Sequence, residues 1–376
     1  MPELPEVETV ARDLRPRLVG ATIVGARSSW ARTLRTHAPE AFAADIAGRT
    51  VEAVGRRGKQ VVVELSGSAA LTIHLKMTGQ LFVVPASLPE DPYVRLVLEL
   101  ADGTELRFRD IRKFGRVGLY PRDPVTGDLL TEPGGAGVFA GQGPEPLEDA
   151  FTLRAFRARL RGRKGRLKSL LLDQGFLAGI GNIYADEALW TARLHPLRSA
   201  SSLLPADERR LYAAIRTILA EAVEWRGSSI DDYTAPDGDG QMQERLNVYQ
   251  RTGEPCPRCG RPIRRIVIGA RASHFCSWCQ RLSAADRAAG SRILATLSRG
   301  PAEQVQRGPR WTELGGDGTL GLTRAEAGRA AARARTERTK RAAAGRRASA
   351  RAAMTPPSTA TSPSAGLPPT PRPSGP

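Results

Sequence analysis

The four cysteines of the chain are spaced Cys256-x2-Cys259-x16-Cys276-x2-Cys279. Two C-x-x-C knuckles at this distance fit a tetrahedral thiolate Zn²⁺ site. Each knuckle turns two sulfurs toward one ion, and the insert between them suits a β-hairpin. Ile263, Ile266, Val267 and Ile268 would form the outgoing strand, Gly269 the tip and Ser273–Phe275 the return. Four protein ligands leave no coordination position for water, so one structural Zn²⁺ is expected and not a catalytic one. A redox or disulfide role is the competing reading. The absence of a secretory h-region or an apolar run of 18 residues favours a reduced, cytoplasmic setting and no membrane. Near the hairpin tip, Arg271 is either a phosphate grip or a solvated turn residue, and spacing alone leaves both open.

Charge narrows the class of partner. The 376 residues carry a net charge of +17, which points to a polyanion, nucleic acid first and acidic membrane second. From Gly290 to Pro376 there are 15 Lys/Arg against 5 Asp/Glu. About +10 therefore sits in this tail, while the rest of the chain is still basic.

The chain has room for two compact domains. After Pro5, the residues Val7, Val10, Ala11 and Leu14 fall at helical spacing, and Pro16 is expected to stop that helix. From Thr22 to Tyr120 the texture is β-rich, with runs at Val61–Leu65, Leu71–Leu75, Val94–Leu100, Leu106–Arg109 and Val117–Tyr120, and a hairpin turn at Ala101–Gly103. The expected class is α+β: an antiparallel β-sandwich or barrel with its N-terminal helix over 1–121, then a Gly/Pro/acid-rich linker over 122–150. A helical domain would follow over 151–250, with Leu167, Leu170 and Leu171, then Leu211, Ile215, Ile218, Leu219 and Val223, on apolar faces. A zinc finger over 251–282 and a disordered basic tail over 290–376 complete the expectation, with Arg324–Arg351 transiently helical.

The string MPELPEVETV carries the first chemical signal. Removal of Met1 would expose the Pro2 secondary amine, and an α-amino group titrates near 7.7–8.0, about two units below a lysine. With Glu3 beside it, this is a Schiff-base constellation aimed at a masked aldehyde such as C1′ of a nucleoside. Equally, Pro2, Pro5, Glu3 and Glu6 suit the start of a helix. Lys59 is either a surface charge or a proton donor and phosphate holder. Met77 is either core or an unbranched wedge for a gap in a base stack. Arg112 and Phe114 combine a donor fork with a stacking face, or form a stacked surface pair. Gly179, Gly181 and Asn182 open a helix whose N–H groups suit a phosphate.

Taken together, these segments resemble the formamidopyrimidine-DNA glycosylases, in chain order over roughly residues 1–281. The carriers are the N-terminal string, Gly55-Arg-Arg-Gly-Lys59, His74-Leu-Lys-Met77-Thr-Gly, Asp110-Ile-Arg112-Lys-Phe114-Gly, Lys168-Ser-Leu-Leu-Leu-Asp-Gln with Gly179-Ile-Gly-Asn182-Ile-Tyr, and the four-Cys finger. The resemblance implies that residues 1–121 are a catalytic β-sandwich and 151–250 a helix–two-turn–helix DNA-binding domain, in a bifunctional enzyme that excises 8-oxoguanine and formamidopyrimidines from double-stranded DNA and then nicks the abasic site. It implies Pro2 as nucleophile, Glu3 as proton shuttle, Lys59 as assistant in β-elimination and Arg271 in the δ-step. His74, Met77, Arg112, Phe114, Arg163, Lys168 and Asn182 are the implied DNA contacts, and a monomer is expected. Two rivals stand beside it: an endonuclease VIII-like enzyme for oxidised pyrimidines, and a non-catalytic zinc-finger binder. Lys76, Lys113 and Asp91 depart from the family pattern.

Overall fold

Helix α1 (Leu4–Leu18) buries Val7, Val10, Ala11, Leu14 and Leu18 between two antiparallel four-stranded sheets. The computed structural model describes residues 1–228 and 240–298. Pro16 does not end the helix, contrary to expectation. Leu18, fully buried, pins the last turn, and the Val19 N–H donates to the Arg15 carbonyl past the proline.

Along the chain follow β1 (Ile23–Ser28), α2 (Pro39–Ile46), β2 (Val51–Arg57), β3 (Gln60–Leu65), β4 (Ala69–His74), β5 (Gly79–Pro85), β6 (Val94–Leu100), β7 (Thr104–Asp110) and β8 (Arg116–Pro121). One sheet runs β1-β6-β7-β5 and the other β2-β3-β4-β8. Strict alternation sends Val61, Val63, Leu71, Ile73, Val117 and Leu119 inward from one sheet and Leu96, Leu98, Leu106 and Phe108 from the other, into one core. Helix α2 was not anticipated inside the β-rich stretch. Only Phe42 and Ile46 of its eight residues are buried, too sparse a stripe to show periodicity.

Residues 122–150 carry turns and isolated bridges but no regular element. The segment is nevertheless fixed to its surroundings. Leu129 packs on Val62 and Ala70, and Glu145 takes Arg56 and Arg57 at 2.7 and 2.8 Å. Helices α3 (Leu153–Leu160), α4 (Leu167–Leu172), α5 (Asn182–Thr191) and α6 (Pro205–Glu224) then enclose a second core that includes Leu167, Leu170, Leu171, Leu211, Ile215, Ile218, Leu219 and Val223. Thr152 caps α3 by accepting from the Ala155 N–H. The turns between α4 and α5 make the helix–two-turn–helix.

The zinc hairpin is β9 (Arg264–Ile268) paired with β10 (Arg271–Phe275). Order then runs past the expected start of the tail, through α7 (Ala284–Ala289), α8 (Ser291–Leu294) and a 3₁₀ turn (Ala295–Ser298). The physical reason is a small apolar set, Ile293 and Leu294 against Leu197, Ile266, Ile268 and Phe275. The expectations for Arg324–Arg351 and the rest of the tail beyond 298 lie outside the described residues.

Candidate active site

Pro2 and Glu3 sit where the two halves of the protein meet. Glu3 caps α1 and reaches across to α5, where its carboxylate accepts from the N–H groups of Gly181 at 2.7 Å and Ile183 at 2.9 Å. An anion at a helix N-terminus is favoured by the free N–H groups and by the macrodipole. Gly181 makes this approach possible, since a Cβ there would lie 2.3 Å from the Glu3 carboxyl carbon. Burial pushes the Glu3 carboxyl above its ordinary value, with Lys59 pulling the other way. Lys59, only 9% exposed, lies in the β2–β3 turn; burial lowers its ammonium below the ordinary lysine value, against Glu3. Lys59 is thus no solvated surface charge.

A cleft of about 520 Å³ opens over this corner, lined by Met1, Pro2, Glu3, Asn182, Tyr249 and Arg271 among others. Glu6 lies beneath it and was missed as a site residue. Its buried carboxylate accepts from the Glu3 N–H at 2.8 Å, the Ser228 N–H at 2.8 Å and the Tyr184 hydroxyl. Sequence showed only the local half of that role, the helix-start pattern. Tyr249 and Ser228 carried no spacing signal at all.

The helix–two-turn–helix and the hairpin hold Arg271 at the cleft. Asn182 donates its side-chain N–H to the Ala272 carbonyl at 3.0 Å, while its buried Oδ1 has no partner among the described residues. Lys168, expected to touch DNA, is fully buried. Its ammonium donates to Asp186 at 2.7 Å and to the Asn182 carbonyl at 2.8 Å. Asp186 in turn accepts from the His274 N–H at 2.9 Å. The correction follows from charge burial: a fully buried ammonium needs a carboxylate, and Asp186 supplies it. Lys168 supports Asn182 and the hairpin. Arg163 is exposed in the turn after α3.

The cysteine sulfurs of residues 256, 259, 276 and 279 all lie within 4.8 Å of one another and form no disulfide. A tetrahedral site with Zn–S near 2.3 Å places sulfurs about 3.8 Å apart, so the cluster fits one ion. Against the cost of burial, a hydrogen bond from the Trp190 indole helps bring the Cys256 thiol down to about 7.

Two loops project from the sheets. Met77, between β4 and β5, is 37% exposed and Phe114, between β7 and β8, is 46% exposed, so neither belongs to the core. The Arg112 guanidinium lies 5.0 Å from the Phe114 ring centroid. A buried clasp ties the loops together: the Thr78 hydroxyl donates to Asp110 and accepts from the Arg112 N–H at 3.2 Å. His74 ends β4, its Nδ1 accepting from the Lys76 N–H at 3.1 Å. Burial, with Lys76 and Lys59 nearby, lowers its imidazole to about 3. Of the departures, Lys113 covers Trp30 at 4.2 Å, and Asp91 pairs with Arg109 at 3.0 Å, so Asp91 is engaged within the protein.

Residues 1–117 match the formamidopyrimidine-DNA glycosylase N-terminal domain, 142–234 the H2TH domain of the same enzymes, and 253–282 a zinc finger found in FPG and IleRS. A formamidopyrimidine-DNA glycosylase of Herpetosiphon aurantiacus is 48% identical over 282 residues, covering 74% of this chain and 100% of the relative. That of Chloroflexus aurantiacus is 49% identical, covering 74% and 98%. Among solved structures, Lactococcus lactis Fpg bound to a DNA containing N7-benzyl-Fapy-dG matches with a TM-score of 0.68 and 36% identity, over 75% of this chain and 100% of that one. The same enzyme bound to DNA containing an abasic site also gives 0.68 and 36%, over 74% and 100%. With all three domains in order and the pocket at their junction, the chain belongs to the formamidopyrimidine-DNA glycosylase family.

Proposed function

We propose that this protein is a base-excision enzyme for double-stranded DNA that removes oxidised purines, 8-oxoguanine and formamidopyrimidines, and cleaves the resulting abasic site. The observation that carries the reading is the convergence of Pro2, Glu3, Lys59 and Arg271 on one corner, with the Glu3 carboxylate fixed by α5. One chain supplies the whole pocket, which supports action as a monomer. No helix among the described residues is long and apolar enough to cross a membrane. The basic charge suits DNA in the cytoplasm.

Once Met1 is removed, the Pro2 nitrogen attacks C1′ of an everted nucleotide. The C1′–N bond to the base breaks, and its electron pair leaves with the base, which takes up a proton. The sugar then opens: the C1′–O4′ bond breaks as the iminium forms, and Glu3, whose raised proton affinity suits a donor, protonates O4′. The iminium acidifies C2′–H. Loss of that proton expels the 3′ phosphate in β-elimination, with Lys59 assisting, and Arg271 is placed to aid departure of the 5′ phosphate in the δ-step. Met77, Arg112 and Phe114 fill and clamp the gap, offsetting the few kcal/mol that eversion costs. Zn²⁺ on the four cysteines supplies architecture only.

Borohydride trapping on duplexes carrying single lesions tests this reading. Wild-type protein should form a covalent adduct fastest with oxidised purines, and Pro2→Gly should sharply reduce it. Full trapping by protein whose amino terminus is chemically blocked would overturn Pro2 as nucleophile. Fastest trapping on an oxidised pyrimidine would move the chain to the endonuclease VIII-like type.

A further inference from the structure

The two sheets present opposite electrostatics to solvent. On β1-β6-β7-β5 three outward arginines are neutralised by carboxylates. Arg27 reaches Glu90, Glu99 and Glu105, Arg107 reaches Glu105, and Arg109 reaches Asp91, all within 3.0 Å. On β2-β3-β4-β8 the outward face forms a cleft of about 690 Å³, lined by Arg35, His74, Lys76, Phe114, Arg116 and Tyr120. Among the described residues no carboxylate pairs with Arg35, Lys76 or Arg116.

The cleft is built and not incidental. Lys76 takes a left-handed backbone with φ of 58°, held by the bond from its N–H to His74 Nδ1. That bond leaves the His74 proton on Nε2, so the neutral ring is a donor. Tyr120 lies across the strand only because residue 118 is glycine, where a Cβ would sit 2.5 Å from the Tyr120 ring. Three cations crowded together repel one another, and burial with Arg116 and Arg35 nearby lowers the Lys76 ammonium. Such crowding is relieved by an anion. The cleft holds donors and aromatic faces but no carboxylate, which is the chemistry of a sugar-phosphate unit. It adjoins the Met77 loop through Lys76, and Lys59 through His74.

We propose that Arg35, Lys76 and Arg116 seat a backbone phosphate of the duplex beside the everted nucleotide. This rests on the glycosylase reading and extends it to residues that departed from the family pattern or lay outside its motifs. Each phosphate contact neutralised on duplex DNA contributes roughly −0.9 to the slope of log affinity against log salt. Binding should be measured against salt on a duplex with a non-cleavable tetrahydrofuran abasic site. The triple variant Arg35→Gln, Lys76→Gln, Arg116→Gln should flatten the slope by about 1, the share of one phosphate, and Arg116→Gln alone by a part of that. Arg109→Gln, on the other sheet, should leave it unchanged. An unaltered slope in Arg116→Gln and in the folded triple variant, checked by melting, overturns the proposal, and so does equal flattening by Arg109→Gln. Trapping of the wild type on a damaged duplex is scored in parallel. A flattened slope without wild-type trapping keeps the phosphate seat and removes the glycosylase reading, whereas trapping with an unaltered slope does the reverse.

Discussion

The corner around Pro2 and the loops around Met77 are organised in opposite ways. At the corner, Glu3 and Glu6 have their oxygens already committed to Gly181, Ile183, Ser228 and Tyr184, and both are buried. On the loops, Met77 and Phe114 are exposed, and Arg112 touches the Phe114 ring. Groups that break bonds need their geometry before substrate arrives, so the fold's own hydrogen bonds hold them. Groups that enter a base stack must be free to be covered by it. The clasp of Thr78 and Asp110 is the compromise: the bases of the two loops are buried and fixed, and their tips are not.

If this division holds, Glu3→Gln should give the largest functional loss. Base excision should fall by about a hundredfold or more, the range of a lost general acid. Single-turnover kinetics should show a smaller loss on a preformed abasic site, and equal losses would erase the distinction between glycosylase and lyase steps. Next comes the support behind the corner. Asp186→Ala strands the buried Lys168 ammonium, and breaking such a pair costs about 3–5 kcal/mol in urea unfolding. A change below 1 kcal/mol would mean that water reaches this bridge.

The exposed loops should behave differently. Met77→Ala should leave urea stability within about 0.5 kcal/mol. Excision from duplex should drop roughly tenfold, a share of the few kcal/mol that eversion costs. A variant that unfolds would put Met77 in the core after all. The smallest effect is on pH. His74 and His195 are held neutral, with folded values of about 3 and about 4 against 6.5 when unfolded. The unfolded chain therefore binds more protons below 6.5, and stability should fall as pH drops from 6.5 toward those values, by about 1 kcal/mol per histidine at pH 5.5. His74→Asn should remove part of that slope in thermal melts, and an unchanged slope would mean that His74 protonates in the folded state.

Much of this was legible in sequence for local reasons. Cysteine spacing specified the hairpin, and β-rich runs between turn signals marked strands such as Val94–Leu100, which match to the residue. Pro2 and Glu3 were signalled by the N-terminal string, Lys59 and Arg271 by the family resemblance, and all four meet at one corner. What escaped was non-local. Nothing near Glu6 signals Ser228, and nothing near Lys168 says that Asp186 will draw it inside. Pro16 was misread because a stop signal is local, whereas the burial of Leu18 that overrides it comes from the sheet. The order through 298 likewise depends on Ile293 and Leu294 finding the zinc hairpin.

The bond that the Gly181 N–H donates to Glu3 joins the first residues of the chain to a segment made 178 residues later. During synthesis the amino terminus leaves the ribosome first, yet its carboxylate has no seat until α5 has followed and folded. An unfinished chain can thus carry the Pro2 amine but not the pocket proposed to direct it. The same geometry makes any extension ahead of Pro2 a block at the heart of the molecule and not a harmless appendage at its edge.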